Sequence, residues 1–344
     1  MYKYLLILIV IFSISCSSDE KTINPIDTSQ KIMISLADAP VVSVISIPEN
    51  TVIIDNILSG NLSVTLNFPI TYIREFGDYL YLSAQKDHKL VVLDKKTYQQ
   101  KVIIDFSEEQ AEVGQIIFPN STDCYIIHPN KNIVTILDIT VFKKARTIEC
   151  GNNPSSISVS GNQVFVTNLT DNSISVIDTR TRQEEAKINS SPFPSFSTIT
   201  SDGNYAAIIS IGNGKIDNNL EKTPAILSFI NITQRSESNY LEIGEGLIAA
   251  TDIIPVGMAY TNSDWIFIAT RSSLFRVDAK NKKDIKFIVR RSFLSVINDE
   301  ASGKLILTAE SDGRNEILLA SNKTGSISNT IKTLHPIQYI IPWR

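Results

Sequence analysis

The sequence is poor in the residues on which many site chemistries depend. Its 344 residues include three histidines, three cysteines, three methionines and two tryptophans. A haem or multi-copper centre needs more His or Met ligands than that, so no metal or other cofactor is expected. There is no Gly-x-Ser-x-Gly elbow, no P-loop and no Cys-x-x-Cys, and no residue qualifies as a catalytic candidate. Charge of one sign is also missing. Lys and Arg total 32 against 36 Asp and Glu, giving a net charge of −4 without a basic stripe, so nucleic acid is not an expected partner. No apolar run reaches the roughly 20 residues that cross a bilayer. What is abundant is Ile, Asn, Ser and Thr, with 43% hydrophobic residues and only 14 glycines, a composition suited to a β-rich protein with a large core.

The N-terminus carries the most specific local signal. Lys3 precedes an apolar run from Leu5 to Phe12, which is the length of a secretory signal core. Ser13-Ile14-Ser15-Cys16 follows, and small residues before a cysteine resemble the lipobox of bacterial lipoproteins. That resemblance implies cleavage after residue 15 and acylation of Cys16, hence a membrane partner through an N-terminal lipid anchor. Ser13 departs from the usual Leu at its place. Ser17 beside the acylated Cys argues against retention in the inner membrane, and Asp19-Glu20 resembles the short acidic export signal of Bacteroidetes surface lipoproteins. The expected localisation is therefore the outer membrane at the cell surface, with a periplasm-facing position as the alternative. Residues 16–31 are polar and read as a tether, leaving 32–344 for the folded domain.

Within that domain one phrase recurs every forty to fifty residues. A short apolar strand, a turn, an aromatic-rich strand, a polar turn and a strand ending in Asp are followed by a fourth strand. The clearest copy has Ser156–Val159, Gln163–Thr167, Ser173–Asp178 and Glu184–Ile188. Five more segments share the grammar, with second and third strands at Tyr79-Leu-Tyr-Leu82 and Leu90–Asp94, Cys124–Ile127 and Val134–Asp138, Tyr205–Ile209 and Ile226–Asn231, Trp265–Ile268 and Leu274–Asp278, and Lys304–Leu307 and Glu316–Leu319. Residues 33–66 supply three strands, near Val41–Ser46, Thr51–Ile54 and Leu62–Leu66, and Ile337–Ile341 supplies one. The expected fold is an all-β, seven-bladed propeller of four-stranded antiparallel blades. Its first blade is closed by the C-terminal strand, which removes the free sheet edges.

Phe165-Val-Thr-Asn168, Asn172-Ser-Ile-Ser-Val-Ile-Asp178 and Thr179-Arg-Thr181 resemble the YVTN-repeat propellers, with Phe165 where that family has Tyr. The likeness covers most of residues 69–333, and neither the WD40 nor the kelch signature is present. Propellers of this kind are also similar in fold to lactonases and quinone dehydrogenases, but none of those sites maps onto residues here. Surface lipoprotein propellers that capture cobamides and cap TonB-dependent transporters are similar in anchor and fold. Together these resemblances imply a binding module rather than an enzyme, with an outer-membrane transporter or a small molecule as partner; a lactonase-like or quinoprotein enzyme is the alternative.

Candidate residues divide by position. Asp94, Asp138, Asp178 and Asp278 end equivalent strands, so they are expected to cap turns through the backbone two residues on, as Asn231 does without charge. The loops between second and third strands are expected on one face, where they place His88, His128, Asn168, Lys215, Arg271 and Arg314 around the channel mouth as a ligand- or partner-binding set. The longest of these loops runs from Ile211 to Pro224. Cys124 opens a second strand and Cys150 ends a fourth. Lying two strands apart at about 4.8 Å per step and at opposite ends, they exceed the ~7 Å reach of a disulfide and should be free thiols.

Overall fold

The computed structural model describes residues 30–215, 219–244, 249–311 and 313–344. The expected signal peptide, Cys16 and all but the end of the tether lie outside the described residues. Seven sheets of four antiparallel strands form the propeller. Blade 1 combines Lys31–Leu36, Val42–Ser46 and Thr51–Ile54 with the C-terminal strand Ile337–Trp343, which pairs with Lys31–Leu36. Blades 2 to 7 follow in chain order over 72–105, 116–149, 154–189, 194–243, 255–290 and 293–333. The first strands, Tyr72–Phe76, Ile116–Ile117, Pro154–Ser160, Pro194–Ile199, Pro255–Tyr260, Phe293–Asp299 and Ile337–Trp343, stand around the axis, and all neighbours but those of blades 2 and 3 are seen in contact.

The core lies between blades. Each of the seven apolar clusters joins two adjacent blades, and the set closes on itself, with Ile306, Ile317 and Leu319 of blade 7 packing against Ile32, Ile34 and Ile45 of blade 1. Second and third strands are therefore buried on both faces, as in Tyr79–Ala84 and Ser173–Asp178, while fourth strands such as Lys143–Glu149 are mostly exposed. Burying a Leu, Ile or Phe side chain is worth about 1.5–3 kcal/mol, so ring closure is cumulative: no blade has a core of its own.

Two expectations for blade 1 need correction. Leu62–Leu66 is not a strand, and the missing one is Lys31–Leu36. Leu62 and Leu66 pack against the cluster between blades 1 and 2 without a ladder, while Val64, in the same phase of the alternation, is exposed. Lys31–Leu36 shows no alternation because both its faces are covered. Its start at Lys31 also lies one residue before the expected domain boundary.

The turns behave as their residues dictate. Asp94 Oδ1 accepts from the backbone N–H groups of Lys96 and Thr97, Asp138 from Thr140, Asp178 from Arg180 and Thr181, and Asp278 from Lys280 and Asn281. Asn231 accepts from the backbone of Gln234. Each turn then passes through a left-handed residue (Tyr98, Phe142, Arg182, Arg235, Lys282) at φ between 52° and 58°. These bonds, with Arg180 foremost at Asp178, hold that carboxyl down to about 2. Cys124 and Cys150 are free thiols at opposite ends of blade 3, with the strand Ile133–Asp138 between theirs.

Candidate functional site

Antiparallel connectivity gives the propeller two faces. One, the loop face, carries the connections between second and third strands and the crossovers between blades. The other carries the first-to-second and third-to-fourth turns. The loops holding His88, His128, Asn168, Lys215, Arg271 and Arg314 all connect second and third strands and so share the loop face. Lys31 enters the propeller from the opposite face, where Trp343 Nε1 donates to Tyr98 Oη at 3.1 Å and Arg344 pairs with Asp299 at 2.5 Å.

Sharing a face does not make the six residues alike. His128 is fully buried, its Nδ1 2.8 Å from the Glu112 carbonyl and its Nε2 3.0 Å from Thr135 Oγ1. Burial lowers its pKa to about 4, so the ring is a neutral internal brace. Asn168 is also fully buried, donating through Nδ2 to Ser173 Oγ at 3.0 Å and Ser175 Oγ at 2.9 Å. Gly151 lies against it so closely that a Cβ there would meet Asn168 Nδ2 at 2.5 Å. His88 sits at φ 56°, in the turn position that Asn132 and Asn172 fill in the next two blades at φ 59° and 49°. In all three the backbone carbonyl receives the end of the fourth strand, from Phe106, Cys150 and Ser190. Both ring nitrogens of His128 and the Asn168 Nδ2 are thus taken up by groups of the chain itself, beneath the loop face rather than on it.

The cations differ in turn. Lys215 is half-buried and donates to the Ile211 carbonyl at 2.8 Å, and burial lowers its pKa to about 8. Its loop is closed at the base by Gly212, at φ 87°, where a Cβ would strike the Pro224 carbonyl at 2.5 Å. Arg271 and Arg314 are exposed and make no ion pair among the described residues. They are the two of the six whose charged groups face solvent without a described partner.

A second constellation escaped the sequence reading. A cavity of about 430 Å³ lies on the axis, lined from the first strands of six blades. Tyr72 and Arg74 come from blade 2, Gln115 and Ile117 from blade 3, and Ser156 to Val159 from blade 4. Phe196 to Ile199 come from blade 5, Met258 from blade 6 and Tyr339 from blade 1. Register fixes the layers: Tyr72 pairs opposite Ser83, Ser156 opposite Thr167 and Tyr339 opposite Ser35, while Arg74 and Ser158 stand two residues further along, opposite Tyr81 and Phe165. Ser156 and Ser197 bond each other at 3.0 Å, and Gln115 Oε1 accepts weakly from the Ile157 N–H at 3.4 Å. The Tyr72 and Tyr339 rings are 4.8 Å apart, and burial raises the Tyr339 hydroxyl well above the ordinary phenol range. The only sequence traces of this cavity are Ser-x-Ser at 156–158 and 195–197 and a lone Arg in a first strand.

The family model described as Domain of unknown function (DUF5074) matches residues 38–234, more than half of the sequence, and the chain belongs to that family. The match begins in blade 1 and ends in the turn after the third strand of blade 5. No curated protein matches the chain. Among solved structures it is similar to one titled Kuenenia stuttgartiensis Hydrazine Synthase, with 18% sequence identity and a TM-score of 0.62, over 72% of this chain and 76% of that one. At that identity the likeness shows the propeller fold alone.

Proposed function

We propose that this chain is a lipid-anchored binding protein of the outer-membrane surface, holding a small polar molecule at the propeller axis and meeting a partner on its loop face. The observation that carries the reading is the axial cavity, where side chains from six blades converge on one space. Pockets of this size commonly hold small ligands, and a site drawn from many blades depends on the closed ring rather than on any one segment. The two faces fit the same reading. A chain acylated at Cys16 would reach Lys31 over some fifteen residues. It would arrive on the face opposite Arg271 and Arg314, leaving those arginines turned away from the membrane toward a partner such as a TonB-dependent transporter.

The test begins with the anchor. Labelled palmitate should enter the wild type and not Cys16→Ser, and outer-membrane sedimentation should be lost in the variant; equal retention of both would overturn the anchor. The binding half is tested by thermal shift against small polar solutes. A rise in melting temperature with at least one class supports capture, and a flat response to charged and neutral solutes alike counts against it.

A further inference from the structure

We propose that the axial cavity is a carboxylate site, in which Arg74 and the neutral donors around it bind a small hydroxylated monocarboxylate. This inference rests on the binding-protein reading and names its ligand class. Three observations carry it. Arg74 is the only charged side chain lining the cavity, no lining residue is acidic, and Arg74 has no ion-pair partner among the described residues. Arg182 pairs with Asp123 and Arg235 with Glu185, whereas Arg74 stands exposed at the cavity wall with no described carboxylate beside it, its charge open to an anion. Second, Ser158 is 6% exposed, lines the same cavity, and its Oγ has no hydrogen-bond partner among the described residues. A buried hydroxyl left unsatisfied costs about 1–3 kcal/mol, and a ligand oxygen would relieve it. Third, the remaining donors are neutral: Gln115 Nε2, Thr198 Oγ1 and the paired tyrosines Tyr72 and Tyr339.

The charge count selects the ligand. One guanidinium matches one negative charge, and its planar fork binds a carboxylate through two parallel bonds. A phosphate dianion would keep uncompensated charge in a cavity with no second cation. Hydroxyl and amide donors on the surrounding strands suit the ligand's own hydroxyl groups.

The experiment measures the melting temperature of the whole chain with acetate, lactate and gluconate, against sorbitol, glucose and inorganic phosphate at matched ionic strength. The proposal expects gluconate to stabilise most and acetate least, with sorbitol and glucose without effect. Arg74→Gln should weaken gluconate binding by about tenfold or more, the loss of one charge-assisted contact, while the ligand-free protein melts as the wild type does. Ser158→Ala is the second arm. It should leave ligand-free stability unchanged or raised, because it removes an unsatisfied group, yet weaken gluconate binding severalfold. Equal stabilisation by sorbitol and gluconate would overturn the carboxylate assignment and leave the binding reading standing. Stabilisation by phosphate alone would overturn it in the same way. No response to any of the six solutes would overturn both, and gluconate binding that survives Arg74→Gln would remove Arg74 from the site.

Discussion

The loop face and the axial cavity hold similar polar residues in different settings: the first draws each from one loop, the second draws them from six blades. On the loop face many polar side chains are taken up by the chain itself, although His88 Nδ1 and Asn168 Oδ1 have no partner among the described residues. His128 braces Thr135 and the Glu112 carbonyl, Asn168 ties two serines, and Asp87 accepts from the backbone of Asn67 and Phe68 at the crossover from blade 1. In the cavity, Arg74 and Ser158 Oγ have no partner among the described residues, while Ser156 and Ser197 bond each other. A propeller needs its loop residues to turn the chain and lock one blade to the next. Its inner strands are hydrogen-bonded to their own blade on one edge only, and some of the side chains they turn to the axis, Arg74 and Ser158 among them, have no described partner. Residue type on a loop is therefore a weaker guide to binding than the meeting of several blades at one point.

The largest test of this contrast concerns the ring that makes the cavity possible. Deleting residues 335–344 removes the strand that pairs with Lys31–Leu36, together with the buried Ile337, Ile340 and Trp343. Cooperative unfolding should be lost, or the melting temperature should fall by about 10 °C or more, since several kcal/mol are removed from a total of roughly 5–15. A truncated chain melting within a degree or two of the full one would show that the ring does not need its closure.

The next effect is a pH dependence. Folding lowers the pKa of His128 to about 4 by burial. An unfolded histidine titrates near 6.5. Between those values the unfolded chain takes up a proton that the folded chain refuses, so stability is fully present above about pH 6.5 and falls as the pH drops toward 4. The loss is on the order of 3 kcal/mol. Denaturant titrations at pH 7 and pH 4.5 should show this loss in the wild type and a smaller one in His128→Asn. Equal losses would mean that other groups govern acid unfolding.

Smaller still is the split within the loop face. Asn168→Ala should cost about 1–3 kcal/mol, because Ser173 and Ser175 lose a buried donor. Arg271→Ala and Arg314→Ala should each stay within about 0.5 kcal/mol of the wild type, as exposed substitutions do. Chemical denaturation of the three variants side by side would decide it: a large loss from either arginine would place it in the packing between blades.

The sequence made the repeat legible because turn chemistry is local. The Asp residues at 94, 138, 178 and 278 announce a third strand and its turn within a few positions, and the outcome follows their spacing. Blade count and closure followed from the same grammar plus one orphan strand at the C-terminus. Lys31–Leu36 was hidden because burial on both faces erases alternation, and Leu62–Leu66 misled because an irregular segment that anchors only Leu62 and Leu66 alternates in sequence as a strand does. The cavity was illegible for a different reason. Arg74, Ser158 and Tyr339 are separated by 84 and 181 positions in the sequence, and only the ring brings them to one axis. The burial of His128 and Asn168 was not legible because a polar residue at a strand end looks the same from the sequence whether its side chain turns outward or under the loop.

The most direct test of the account is a crystal structure of the chain grown with gluconate. It should show the carboxylate against the Arg74 guanidinium within the axial cavity, with Ser158 Oγ in contact and no ordered ligand at Arg271 or Arg314. Gluconate ordered on the loop face, with only water at Arg74, would contradict the assignment of recognition to the axis.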